Sequence, residues 1–462
     1  MRILFAIYDN DSYVSWFPQG IAYLASACRN AGHDVHIFSQ DVYHWPDEKL
    51  TALLDQEHFD LVGVGVIGGY YQYRRLLALS KAINASRQRP FFVIGGHGPS
   101  PDPAYYMRKT GADAVVIGEG EVSMVELLDA LQGKRTMSSV NGIAYKEHDH
   151  VHLTPPRQLI ADVDTIALPA WDLFEINHYA QLRNVGASNG DRTLPVLSGR
   201  GCTFKCNFCY RMDKGFRPRS PSSILDEIEL LQTRYNIRYI DFSDELLMNS
   251  EERTITLCEA FMASGLAFKW SCNGRLNYAK PHVLSAMKNA GCQFINYGIE
   301  SLDDATLKVM NKGLTAKQIE RGIVATLDAG ISPGFNIIFG NIGETYEALQ
   351  KGVNFLLKYS DFSQMRTIRP VTPYPGSPLY YHAIENGLLK DCEDFYENKH
   401  VNSDLLAVNF TPLDDDAFHH ALYEANIKLI ESFAEHKKES MLKDAYDLYY
   451  RRNVDFRGFR QM

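Results

Sequence analysis

Three cysteines crowd one short stretch, Arg200-Gly201-Cys202-Thr203-Phe204-Lys205-Cys206-Asn207-Phe208-Cys209-Tyr210. The spacing is C-x3-C-x2-C. Three thiolates on one loop can hold three irons of a cubane cluster and leave the fourth without a protein ligand. An open iron is where a cluster does chemistry; a cluster that only passes electrons has all four irons capped. A zinc site wants four ligands, usually as Cys pairs, and no second pair follows here. The spacing therefore points to a reactive iron–sulfur centre.

With 462 residues the chain is too long for a single core, so two or three domains are expected. A net charge of −9 argues against a nucleic-acid partner. The first eight residues, Met1-Arg2-Ile3-Leu4-Phe5-Ala6-Ile7-Tyr8, read as a strand and not as a signal peptide. No run of apolar residues is long enough for a membrane span. Cys28, Cys258, Cys272, Cys292 and Cys392 stand singly on apolar segments and read as core thiols. A reducing cytoplasm suits them and an oxygen-sensitive cluster.

Residues 1–140 alternate strand and helix, the pattern of a doubly wound parallel α/β sheet. Strands are expected at 3–8, 35–38, 61–67, 91–95 and 114–117. Glycines fall where those strands run out: Gly68-Gly69, Gly95-Gly96-His97-Gly98 and Gly118-Glu119-Gly120-Glu121. Ligands of open α/β sheets bind at these carboxyl ends, and glycine admits a large flat ligand close to the backbone. Residues 141–190 read as a small hairpin and a Pro- and Asp-punctuated linker. A second alternating region, 191–384, has strands expected at 194–198, 239–243, 268–272, 294–297, 334–339 and 365–369. Six strand–helix units imply a partial parallel barrel with its functional groups at the strand carboxyl ends. Residues 385–462 read as a mostly helical region, with helices at 414–433 and 437–450.

The barrel strand ends carry polar motifs. Asp241-Phe242-Ser243-Asp244-Glu245 places carboxylates where they would face the cysteine loop. They could accept charge-assisted hydrogen bonds from a cationic ligand group, or cap the helix that follows. Ser271-Cys272-Asn273-Gly274-Arg275 offers a guanidinium and two hydrogen-bonding side chains. Gly298-Ile299-Glu300-Ser301 offers a carboxylate suited to ribose hydroxyls. Phe339-Gly340 offers an apolar slot, and Glu344-Thr345 a helix start. Thr372-Pro373-Tyr374-Pro375-Gly376 is a rigid turn, either a substrate rim or a plain corner. Arg200, Lys205, Arg211, Lys214, Arg217 and Arg219 surround the cysteine loop; they offset a negative cluster, hold an anion, or are simply solvated.

In this order, the cysteine loop with Phe208 before its third Cys and the strand-end motifs resemble the radical S-adenosylmethionine superfamily. Pro18-Gln19-Gly20 and the glycine loops of residues 1–135 resemble the cobalamin-binding domain that precedes it in one class. The resemblance implies a Rossmann-like cobalamin domain, a partial (β/α)6 barrel and a helical C-terminal region. It implies that Cys202, Cys206 and Cys209 hold a 4Fe–4S cluster. It implies S-adenosylmethionine contacts from Phe208, Asp244, Glu245, Ser271, Arg275, Glu300, Phe339 and Gly340. Cobalamin would lie against Gly68, Gly69, Gly95, Gly96, His97, Gly118, Glu119 and Gly120. The Asp-x-His-x-x-Gly motif that supplies a lower cobalt ligand elsewhere is replaced by Tyr8-Asp9-Asn10-Asp11-Ser12-Tyr13, without His. The implied activity is methylation of an unactivated carbon of a small molecule by way of a 5′-deoxyadenosyl radical, with flavodoxin or ferredoxin as electron donor. The alternatives are an oxidoreductase, cyclase or rearrangement enzyme of the same architecture without net methylation, and a non-catalytic iron–sulfur module.

Overall fold

The structure is a computed structural model and describes residues 1–12, 15–148 and 150–455; Tyr13 lies outside the described residues. Near-continuous apolar runs make buried parallel strands. In β1 (Arg2–Ile7) everything after Arg2 is buried. β1, β2 (Asp34–Ser39), β3 (Leu61–Gly65), β4 (Phe91–Gly95) and β5 (Ala114–Val116) run parallel in the order β2-β1-β3-β4-β5. A hairpin of β6 (Ile143–Glu147) and β7 (His150–Leu153) extends this sheet antiparallel from β5. The order reverses between β1 and β3, and such a switch opens a crevice beyond the strand carboxyl ends.

The second sheet begins with β8 (Thr193–Val196). A short antiparallel pair, β9 (Gly199–Arg200) and β10 (Arg217–Pro218), closes the neck of the cysteine loop. β11 (Tyr239–Phe242), β12 (Lys269–Gly274), β13 (Cys292–Glu300), β14 (Ser332–Phe339) and β15 (Arg369–Pro370) then join β8 in the order β8-β11-β12-β13-β14-β15, all parallel. The sheet curls into a half-barrel. Amphipathic helices cover its outside. Ala316–Asp328 buries Ile319, Gly322, Ile323 and Thr326, one face at helical spacing, and starts with a capping box between Thr315 and Gln318.

The C-terminal region differs from expectation. One helix, Asp415–Ala445, replaces the two expected at 414–433 and 437–450. The intervening Ala434-Glu435-His436 contains neither Gly nor Pro, so nothing interrupts the helix. Its first half buries Phe418, Ala421, Leu422, Ala425 and Leu429. Upstream, Phe395, Tyr396, Val408 and Phe410 join the core around Tyr73, Tyr105 and Tyr106, on two helices of the N-terminal domain. The C-terminal region thus fastens the two sheets together. Among the described residues no helix is long and apolar enough to cross a membrane.

Candidate functional site

A cavity of about 230 Å³ opens at the carboxyl ends of the barrel strands. The cysteine loop forms one wall with Cys202, Cys206, Phe208 and Cys209. The facing wall carries Glu245 after β11, Asn273 and Arg275 at the end of β12, Asn296 and Glu300 from β13, Asn336 from β14, and Lys312. Cys206 is buried, Cys202 half-buried and Cys209 exposed. The hydrogen bond from Cys209 outweighs burial and, with the charges of Lys312 and Arg275, holds the Cys206 thiol down at about 6. The same bond, with burial, pushes Cys209 up. One of the thiols is therefore a ready thiolate.

Glu300 is held unusually. It has a left-handed backbone, φ 68°, where the β13–β14 register shifts between Gly298 and Glu300. A non-glycine residue in this region is strained, and such strain gathers at functional sites. Its carboxylate meets Lys312 Nζ at 2.9 Å, with both side chains under a tenth exposed. The pair folds over Gly298, where a Cβ would lie 2.5 Å from Glu300 Oε1 and 2.9 Å from Lys312 Nζ. Lys312 Nζ also stands 5.9 Å from the Phe208 ring. Arg275 is buried, its guanidinium carbon 3.3 Å from the centre of the Phe204 ring. Nε donates to Asn277 Oδ1 at 2.9 Å, while Nη2 is buried without a partner among the described residues.

Three asparagines cross the floor as a directed chain. Asn273 Nδ2 donates to the Asp244 carbonyl at 3.0 Å, Asn296 Nδ2 to Asn273 Oδ1 at 3.1 Å, and Asn336 Nδ2 to Asn296 Oδ1 at 2.9 Å. A backbone carbonyl only accepts, so it dictates the orientation of all three amides.

Four of the expected contacts lie away from the cavity. Asp244 is buried behind the wall, where its carboxylate accepts from Ser198 N at 2.9 Å and Ser198 Oγ at 2.8 Å. Burial pushes it up to about 6. Both residues stand in the bend that follows β11, and it is Glu245 that lines the cavity. Ser271 donates to Asp241 Oδ1 at 2.7 Å and accepts from Asn184. Phe339 stacks on Phe418 of the C-terminal helix at 4.8 Å, and Gly340 abuts the same ring. Glu344 accepts from Gly340 N, Asn341 N and Ser301 Oγ, and burial pushes it up to about 7. Of the six basic residues round the loop, Arg200, Arg217 and Arg219 are committed to carboxylates, and Arg211 lines the cavity.

On the first sheet, several expected contacts are engaged with protein. Gly96, φ 106°, crosses Val66 so closely that a Cβ would sit 2.4 Å from its carbonyl oxygen. The Gly68 carbonyl accepts from Tyr396 Oη at 2.9 Å. A Cβ on Gly69 would strike Gln72, one on Gly95 would crowd Val116, and one on Gly120 would strike Leu24. Glu119 is taken up by Arg200 and Arg217. Gly118 has open space beside it, and His97 is exposed, 6.2 Å from the Tyr210 ring.

The residues fit the groups that this arrangement implies. A single metal ion needs ligands converging on one point, and no three His, Cys, Asp or Glu among the described residues do so. A cubane instead takes each thiolate on a different iron. The orphaned Arg275 N–H suits a carboxylate. Beyond the first sheet, Trp16 and Ile67 follow β1 and β3 and are 61% and 73% exposed. Large apolar side chains bared at a topological switch suit a broad flat ligand.

Residues 196–356 match the Radical SAM superfamily, and residues 7–128 match the B12 binding domain. An uncharacterized methyltransferase of Pyrococcus horikoshii is 32% identical over 80% of this chain and 79% of its own length. The anaerobic magnesium-protoporphyrin IX monomethyl ester cyclase of Rubrivivax gelatinosus is 29% identical over 79% of this chain and 66% of its own. TsrM, a radical S-adenosylmethionine methyltransferase from Kitasatospora setae solved with cobalamin and a 4Fe–4S cluster, superposes with a TM-score of 0.71. That match covers 92% of this chain and 88% of the other at 18% identity, and shows a shared fold.

Proposed function

The chain belongs to the radical S-adenosylmethionine enzymes that carry a B12 binding domain, and we propose that it methylates an unactivated carbon, or a similarly poor nucleophile, of a small molecule. The observation that carries this reading is the cavity itself: three thiols face a guanidinium whose Nη2 has no partner among the described residues and a buried Lys–Glu pair.

In this reading Cys202, Cys206 and Cys209 hold a 4Fe–4S cluster. Glu245 accepts hydrogen bonds from the ammonium group of S-adenosylmethionine, and Arg275 pairs with its carboxylate. Glu300, aimed by Lys312, accepts from ribose hydroxyls. The loops at Gly68, Gly96–Gly98 and Gly118, with Trp16 and Ile67, receive cobalamin. When bound, these groups supply the electron that cleaves S-adenosylmethionine to a 5′-deoxyadenosyl radical and the carrier of the methyl group. The chain's own share is to bind, orient and exclude water. The asparagine chain stiffens the floor, and the stacking of buried Arg275 on the Phe204 ring fixes a charge that would otherwise swing. A small electron carrier such as flavodoxin or ferredoxin is the expected partner, in a reducing cytoplasm.

The test is anaerobic turnover with S-adenosylmethionine, reductant, cobalamin and a panel of small molecules. Methylation yields 5′-deoxyadenosine and S-adenosylhomocysteine in equal amounts with the methylated product. The similarity to a cyclase favours a second reading, ring formation without methyl transfer. That outcome gives 5′-deoxyadenosine and an unmethylated product, and it would replace the first.

A further inference from the structure

The neck of the cysteine loop sets two arginines side by side. β9 and β10 pair antiparallel with Arg200 opposite Arg217, and their side chains are only 15% and 13% exposed. Like charges opposite one another on paired strands repel, and more strongly where water is scarce. Left alone, this pair would open the neck of the loop that carries all three thiols.

The N-terminal domain supplies the counter-charge. Glu119 lies 2.9 Å from Arg200 Nη1 and 2.9 Å from Arg217 Nη1. Glu121 accepts from Arg200 Nη2 at 2.5 Å, and the Tyr23 ring lies 5.1 Å from the same guanidinium. The linker contributes Ile160, whose N–H donates to Glu119 Oε2 at 2.9 Å and whose carbonyl accepts from Arg217 at 2.7 Å. From within the loop Asp213 takes Arg217 Nη2 at 2.8 Å. Both glutamates belong to the loop and helix start that follow β5, next to the open Gly118.

We propose that Glu119 and Glu121 are positioning residues for the iron–sulfur site: they clamp the neck of loop 201–216 from the N-terminal domain, so that the three thiols are presented together only when that domain is docked. The proposal rests on reading Cys202, Cys206 and Cys209 as the cluster ligands. It makes the β5 loop a mechanical link between the two cofactor sites.

The test uses the full chain with Glu119→Gln and Glu121→Gln, singly and together. In iron-free protein, amide hydrogen exchange over 199–218 should quicken at least about tenfold in the double variant, with β12 and β13 unchanged. After reconstitution with iron and sulfide, iron should be lost to a chelator at least about tenfold faster. Wild-type exchange and wild-type iron retention would overturn the proposal, and so would an equal loss of protection throughout the chain. Should the double variant fail to fold, Glu121→Gln alone leaves Glu119 bridging both arginines; it must shift both readouts the same way, by less, or the proposal falls. If the wild type takes up no iron, the cluster reading fails, while the exchange data still decide the clamp.

Discussion

Replacing Asp244 by Asn removes a charge that the fold keeps almost dry. Burial pushes this carboxyl from 3.8 to about 6, against the pull of two hydrogen bonds from Ser198. The folded state thus binds a proton more tightly than the unfolded one, and this group's contribution to stability falls as pH rises from about 4 to about 6. A difference of roughly two pH units corresponds to about 3 kcal/mol at neutral pH. Asparagine does not titrate. It relieves that cost and keeps one oxygen for Ser198 N, but it turns its NH2 toward Ser198 Oγ, which must stop donating and accept instead, a loss of about 1–3 kcal/mol. The two effects nearly offset at pH 7. As pH falls the relief disappears, so wild type should gain on the variant, by roughly half of the 3 kcal/mol between pH 7 and pH 5. Urea unfolding of both iron-free proteins across that range reads the difference directly. A flat or inverted trend would show that burial does not raise the Asp244 carboxyl. Affinity for S-adenosylmethionine should stay within about twofold, since Asp244 faces away from the cavity. Glu245→Ala should instead weaken it by about 1.5–3 kcal/mol, roughly 10- to 150-fold. Equal effects at both positions in equilibrium dialysis would undo the division of labour.

Lys312→Met strands the Glu300 carboxylate, whose side chain is 9% exposed; it should cost about 3–5 kcal/mol in urea unfolding, and Lys312→Arg should recover part of it. Gly298→Ala must displace the same ion pair, at a cost of about 1–3 kcal/mol, and should lower affinity for S-adenosylmethionine in dialysis. Unchanged binding would show that Glu300 does not need that geometry. Cys206→Ala should prevent stable cluster reconstitution, measured as iron and sulfide content; retained iron would move the cluster elsewhere.

The cysteine loop and the strand–helix alternation were legible because each is written in local pattern: a fixed spacing, or apolar runs punctuated by glycine. What lay beyond reach was which neighbour faces inward. Asp244 and Glu245 look equivalent as letters, yet the bend after β11 ties Asp244 to Ser198 behind the wall and leaves Glu245 in the cavity. The register shift beside Glu300 alters the simple count again. Phe339 and Gly340 look like a ligand slot until the C-terminal helix brings Phe418 against them, a long-range contact with no local signal. Glu119 seemed placed for cobalamin, but two arginines 81 and 98 residues later claim it. Lys312 was missed because it stands in a loop after a short helix, where lysine is ordinarily solvated. Asn273, Asn296 and Asn336 did leave a trace: asparagine is disfavoured in strands, and three at cavity-facing positions mark a polar floor.

The most direct measurement is the electron paramagnetic resonance spectrum of the anaerobically reconstituted, reduced protein with and without S-adenosylmethionine. A cubane held by Cys202, Cys206 and Cys209 alone keeps one iron open, so about four irons per chain are expected, with a spectrum that changes when S-adenosylmethionine is added. A cluster signal indifferent to S-adenosylmethionine, or zinc in place of iron, would contradict it.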